Sequence, residues 1–206
     1  METQLLHQYF KLTEQQAKQF EQAFHLYHEW NQKINMISRK NMEHLVSQHF
    51  LHSLAIAKFT SFTAGTKILD IGTGGGFPGI PLAIMFPEVD FVLADSIAKK
   101  IKVVQTVADA LSLQNVKATA ERAENINEKF DFIISRAVTA FPKFVGFCQN
   151  KFSKQSKNGL ENGIIYLKGG DFEEEVKPFR NAEVYPITQY FDGEFFETKK
   201  IIYLPM

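Results

Sequence analysis

The sequence predicts an α/β fold: a mainly parallel sheet with helices between its strands, a helical extension before it and an antiparallel hairpin after it. Three observations lead there. From Lys67 onward, short apolar runs alternate with helix-like segments, which implies βαβ units. Residues 1–60 instead carry apolar side chains at helical spacing. Beyond residue 183, two strand-like runs follow each other with no room for a helix between them.

In the extension, Thr13-Glu14-Gln15-Gln16 has the form of a capping box. Phe20, Phe24, Tyr27, Trp30 and Ile34 then recur every three or four residues as one apolar helix face. A second helix is predicted from Asn41, a plausible N-cap, through Leu45, Val46, His49, Phe50, Ser53 and Leu54. The strands of the sheet are predicted at 67–71, 90–95, 114–118, 130–134 and 163–167, with helices at 79–86, 98–111 and 139–152. Runs 183–190 and 198–204 form the hairpin, joined through Phe191-Asp192-Gly193-Glu194. Residues 153–163 are polar enough to be a mobile loop. The domain reading is a helical extension over 1–60 and a ligand-binding domain over 61–206.

Composition narrows the function classes. The 206 residues are 45% hydrophobic, enough for one domain with a sizeable core. Lys plus Arg and Asp plus Glu both number 23, which argues against a polybasic partner-binding protein. One cysteine, Cys148, excludes an internal disulfide and a multi-cysteine zinc site, and reads as a small core residue. The N-terminus does not read as a signal peptide, and no apolar run approaches the roughly 20 residues that span a bilayer. The expectation is a cytoplasmic protein with no membrane partner.

Asp70-Ile71-Gly72-Thr73-Gly74-Gly75-Gly76-Phe77-Pro78-Gly79 stands where the first strand turns into the first helix of the sheet. Glycines let backbone approach a ligand there, and in open α/β sheets this carboxyl edge is where ligands bind. Gly74, Gly76 and Gly79 match a dinucleotide fingerprint, a weak pattern by itself. The competing ligand is a nucleoside cofactor without phosphate, such as S-adenosylmethionine. Asp70 favours it, because a carboxylate beside the loop would repel a pyrophosphate and help hold an ammonium group. Pro78 and Pro81 suit the first turn of the next helix. Asp95 ends the second strand, 23 residues beyond Gly72, where a carboxylate can accept from both ribose hydroxyls of either ligand.

With these residues, the chain resembles the bacterial ribosomal small-subunit methyltransferase G family over nearly its whole length. The matching stretches are Trp30-Asn31-x-x-Ile34-Asn35, the loop from Asp70 through Gly-Phe-Pro-Gly-Ile-Pro to Leu82, and Leu93-x-Asp95-Ser96 with Lys99 and Lys100. Phe130-Asp131, Ser135-Arg136-Ala137 and Leu167-Lys168-Gly169 complete them. One departure is His52-Ser53-Leu54, where members often have Asp-Ser-Leu. The resemblance implies a Rossmann-like class I methyltransferase fold, S-adenosylmethionine as cofactor, and transfer of its methyl to N7 of a guanine in 16S rRNA. It implies a cofactor site of Gly72, Gly74 and Phe77 on the methionine and ribose side, Asp95, Ala123 and Glu124 by the adenosine, and Arg136. The implied partner is 16S rRNA or a small-subunit ribonucleoprotein, met by a monomer.

Guanine N7 carries a lone pair and no proton at neutral pH, so its methylation needs alignment and no general base. No catalytic residue is therefore assigned. The chain lacks the Asn-Pro-Pro-Tyr or Asp-Pro-Pro-Tyr motifs that resemble exocyclic-amine methyltransferases. All six histidines lie within the first 52 residues. His25 with His28, and His49 with His52, share a helical spacing but bring no third ligand, so they read as RNA-phosphate or surface contacts and no metal is expected. Residues 136–168 carry a net of five positive charges and 171–197 a net of six negative. A basic strip near the cofactor edge, helped by Lys99 and Lys100, would suit RNA phosphate. Two other readings stay open: an NAD-dependent oxidoreductase using the same loop, and a noncatalytic RNA-binding module.

Overall fold

The computed structural model describes residues 2–34 and 42–206. Its strands are β1 (Lys67–Ile71), β2 (Asp90–Ala94), β3 (Val116–Thr119), β4 (Phe132–Arg136), β5 (Gly163–Gly169), β6 (Glu183–Pro186) and β7 (Lys199–Pro205). They form one sheet in the order β3-β2-β1-β4-β5-β7-β6. β1 to β5 run parallel, and β7 runs antiparallel between β5 and β6. The sheet therefore reverses its winding beside β1, and a crevice opens there at the carboxyl ends of β1 and β4.

Central strands are apolar on both faces because helices cover both. Ile68, Phe132, Ile134, Ile165 and Ile201 face one core. Their neighbours Leu69, Ile133, Ile164, Tyr166 and Ile202 face the other. The first core is covered by α1 (Glu2–Tyr9), α2 (Glu14–Lys33), α3 (His52–Phe59), α4 (Gly79–Met85) and α5 (Ala98–Ala110). The second lies under α6 (Phe141–Cys148) and the single turn α7 (Glu173–Val176). Cys148 is buried in that second core, and burial pushes its thiol well up.

The extension has the predicted helices, with one difference. Thr13 and Gln16 close the capping box on α2. Leu45–Leu51 is π-helical and runs straight on into α3. The proposed cap Asn41, like Asn35, lies outside the described residues. Phe20, Phe24 and Tyr27 each pack edge to face with Phe50, and all four join the first core with the sheet residues. Three glutamines of α2 tie it further to the sheet's helices. Gln16 donates to Ile84 O and Met85 O, Gln19 to Leu111 O and Gln22 to Ala110 O. Each supplies a donor to carbonyls that a helix end leaves unpaired.

Two expectations need correction. The tail does pair antiparallel, but β6 stops at Pro186 and its connection to β7 holds helical turns, Ile187–Gln189 and α8 (Glu194–Glu197). These turns form because Ile187, Phe191 and Phe196 bury themselves in the first core. The loop read as mobile is strapped to the amino end of the sheet. Asn162 donates to Ser153 O and Gln155 O at 2.9 and 3.0 Å, and Asn158 Oδ1 accepts from Thr63 N and Thr66 Oγ1. Lys157 also meets Asp131 at 3.2 Å. Polarity here serves internal hydrogen bonds.

Candidate active site

The loop after β1 owes its shape to three glycines and one acid. Gly72, Gly74 and Gly76 have φ of 70°, 57° and 96°, the left-handed region that side chains resist. Asp70 is buried beneath them, and its Oδ2 accepts from Thr73 Oγ1 at 2.7 Å and from Gly79 N at 2.9 Å. Oδ1 is buried without a hydrogen-bond partner. Burial raises this carboxyl to about 7, against the opposing pull of the Thr73 and Gly79 hydrogen bonds and of Arg136. Asp70 thus organises the loop from within and is not part of the cleft wall, which corrects its reading as an ammonium ligand.

The extension reaches the same loop. Tyr27, fully buried on α2, donates its hydroxyl to Gly75 O at 2.7 Å, and burial pushes its phenol far up. Tyr27→Phe removes the donor and leaves a carbonyl unpaired. The expected loss is roughly 1 kcal/mol, read from the urea midpoint, and an unchanged midpoint would show that the bond does not hold the loop.

Above the loop lies a cleft of ≈ 430 Å³. In the order of the strands its lining runs from Ala123 and Glu124, beyond β3, through Asp95 and Lys100 after β2 and a floor of Gly72 and Gly74 after β1, to Arg136 and Val138 at the end of β4. A Cβ on Gly72 would come within 2.5 Å of Val138 Cγ2, so only glycine keeps this floor open. Asp95 Oδ2 accepts from Gly74 N at 3.0 Å and Oδ1 from Ile97 N at 2.9 Å. A carboxylate has about four acceptor sites, so both oxygens keep capacity for a ligand. Six of the seven sequence-selected residues, Gly72, Gly74, Asp95, Ala123, Glu124 and Arg136, are brought together here.

Phe77 is the exception. Only 3% exposed, its ring lies among Tyr27, Phe50 and His49 at centroid separations of 4.8, 5.3 and 5.4 Å. The apolar ring gains more from the aromatic core below than from the cleft. It carries the Arg136 guanidinium on its face at 5.1 Å. Arg136 also donates to Gln48 O and His49 O and meets His49 Nδ1 at 2.9 Å. Burial lowers this guanidinium to about 10, with Asp70 and Tyr27 acting the other way. His49 is held near 3 by burial and by Arg136, so it stays neutral. His52 is buried against the Phe195 ring at 5.5 Å and is likewise shifted downward by burial. Neither of these two histidines therefore carries the positive charge that a phosphate contact would use.

A model of the family described as rRNA small subunit methyltransferase G matches residues 15–194. The chain belongs to this family. It is 56% identical over 203 residues to the Ribosomal RNA small subunit methyltransferase G of Flavobacterium johnsoniae, covering 98% of this chain and 97% of that one. The protein of the same name from Christiangramia forsetii is 51% identical over 207 residues, covering 100% and 98%. Among solved structures, the precorrin-6y C5,15-methyltransferase of Geobacter metallireducens shares the fold at TM-score 0.55 and 10% identity, covering 76% of this chain and 88% of that one. A mutant of MtNAS in complex with S-adenosylmethionine does so at TM-score 0.58 and 16% identity, covering 91% and 71%. The class I methyltransferase fold expected from the resemblance is thus established.

In this family member the basic run 136–168 does not form one strip. Arg136 is engaged by His49, and Lys168 by Glu175. Lys151 is buried, donating to Ile126 O, and Lys157 pairs with Asp131 at the amino end of the sheet, opposite the cleft. The sequence sum counted charges that the fold sends to two ends and largely spends internally. The positive groups at the cleft itself are Lys100, Arg122 and Arg136, set against Asp95, Glu121 and Glu124. Sequence reasoning missed Tyr27, Thr73, Val138 and Arg122. Tyr27 was visible only as one member of an apolar stripe, and nothing local marked its hydroxyl. Among the described residues no group of three or more His, Cys, Asp or Glu is arranged to hold a metal ion, and no helix is long and apolar enough to cross a membrane.

Proposed function

We propose that the protein transfers the methyl group of S-adenosylmethionine to N7 of a guanine in 16S rRNA, acting as a monomer in the cytoplasm on that RNA or on a small-subunit ribonucleoprotein. One observation carries the reading: 56% identity, over nearly the full length of both chains, to a protein named Ribosomal RNA small subunit methyltransferase G. The cleft fits the cofactor independently. Its glycine floor is a cradle that a Cβ would fill, its Asp95 has free acceptor capacity, and its balanced charges suit a ligand bearing both an ammonium and a carboxylate.

When bound, S-adenosylmethionine supplies an electrophilic sulfonium methyl group. Asp95 would hold the ribose hydroxyls, and Ala123 and Glu124 would border the adenine. Gly72 and Gly74 would admit the methionine portion toward Arg136. Phe77 and Tyr27 act from below, one carrying the Arg136 guanidinium and the other the loop carbonyl. Guanine N7 brings its own lone pair, so the chain moves no proton. Alignment alone has roughly 7–11 kcal/mol to offer such a transfer.

Thermal denaturation tests the ligand, because a compound that binds the native state raises its stability. S-adenosylhomocysteine is expected to raise the midpoint and NAD to leave it unmoved. Stabilisation by NAD alone would favour an oxidoreductase. Asp95→Ala should weaken S-adenosylhomocysteine about 10- to 100-fold through two lost charge-assisted hydrogen bonds. Small-subunit RNA and particles incubated with radiolabelled S-adenosylmethionine should yield labelled 7-methylguanosine. Cofactor binding without label in any assembly state would point to a noncatalytic RNA-binding module.

A further inference from the structure

His49 does not itself line the cleft, but it is bonded to Arg136, which does. With Asp95 and Ala123 holding the adenosine, as proposed above, the reacting end lies at Arg136, Ala137 and Val138. Arg136 binds His49 through Nδ1 at 2.9 Å. A guanidinium has five donors and no acceptor. Nδ1 must therefore accept, and the proton of the neutral ring must sit on Nε2. Among the described residues no hydrogen bond engages Nε2, and His49 is only half-buried, so this N–H is available as a donor. His52, three residues on, is the contrast: its Nε2 is buried without a partner and cannot meet a ligand.

The lining at this end suits a base. Val138, two residues beyond Arg136, lines the cleft yet is 41% exposed. An apolar side chain open to water in a polar cleft offers a face on which a flat ring can lie.

Resting on the function proposed above, we infer that His49 reads the substrate base, donating its Nε2–H to O6 of the guanine whose N7 receives the methyl. The two atoms share one edge of the base, and on guanine both are acceptors, whereas adenine presents an amino donor beside N7. A tautomer fixed as a donor accepts the first and rejects the second. Neutrality matters as well. Methylation leaves a positive charge on the base, which a charged donor would repel. Burial and Arg136 both keep this imidazole uncharged.

The test couples protein and base. After the labelled guanine is mapped, small-subunit RNA is prepared with guanine or with 2-aminopurine, which lacks O6, at that position. Wild-type enzyme should lose roughly 10- to 30-fold in kcat/KM on 2-aminopurine, the scale of one hydrogen bond that leaves its buried partner unpaired. His49→Leu should lose as much on guanine but change by less than about 3-fold on 2-aminopurine. His49→Gln, whose Oε1 can accept from Arg136 while its Nε2 donates to O6, should recover most of the guanine rate. Each variant must first bind S-adenosylhomocysteine as wild type does, which separates a lost contact from a lost fold. Equal losses on both bases would overturn the assignment, as would a wild-type enzyme that does not discriminate between them. A wild-type enzyme that labels no guanine N7 would instead refute the function on which it rests.

Discussion

Gly72→Val is expected to abolish measurable binding of S-adenosylhomocysteine, a loss of more than about 100-fold by calorimetry. Two costs coincide. The residue sits at φ 70°, where a β-branched side chain is a genuine outlier, and its Cβ would stand 2.5 Å from Val138 Cγ2. Strain of this kind costs about 1–3 kcal/mol, and the displaced Val138 would fill the floor of the cleft. The pair Gly72→Ala with Val138→Ala keeps much of the strain but removes the clash, so it should bind better than Gly72→Ala alone. Wild-type affinity in Gly72→Val would mean that the cofactor lies elsewhere.

The second large effect concerns pH. The Asp70 carboxyl is raised from 3.8 to about 7, chiefly by burial. Between those values the native state keeps a proton that the unfolded chain has already released. Stability is therefore greatest below about pH 4 as far as this group is concerned, and falls as pH rises toward 7. Three pH units at 1.36 kcal/mol each give roughly 4 kcal/mol across the window. Asp70→Asn keeps an oxygen for Thr73 and Gly79 but cannot ionise, so its urea-derived stability should lack this decline. Parallel pH profiles for the two proteins would show that Asp70 titrates as an ordinary carboxyl.

Much of this molecule could be read from local pattern. The capping box at Thr13 needs only residues three apart, and the turn from the first strand through Asp70 and its glycines needs only a run of ten. The acid at Asp95 follows from strand spacing. What could not be read depended on contacts distant in sequence. The Tyr27 hydroxyl meets a carbonyl 48 positions away, and Arg136 meets His49 across 87. Phe77 entered the expected cofactor site only through the family resemblance, and its side chain turns toward Phe50 and Tyr27. The lysines of 136–168 share a stretch of chain but not a face, since β4 and β5 carry their ends to opposite edges of the sheet. Charge summed along a segment says little when a strand runs through it.

The order of strands in the sheet has a consequence for how the chain reaches its native state. β7 separates β5 from β6 and supplies a ladder to each. Before it docks, β6 has no partner strand, and β5 offers Ile164, Ile165, Tyr166 and Leu167 along an open edge. Such an edge is a template for pairing with another molecule. Lys199–Pro205 therefore both completes the sheet and protects it against self-association, and changes that weaken its pairing should lower soluble yield before they lower affinity for any ligand.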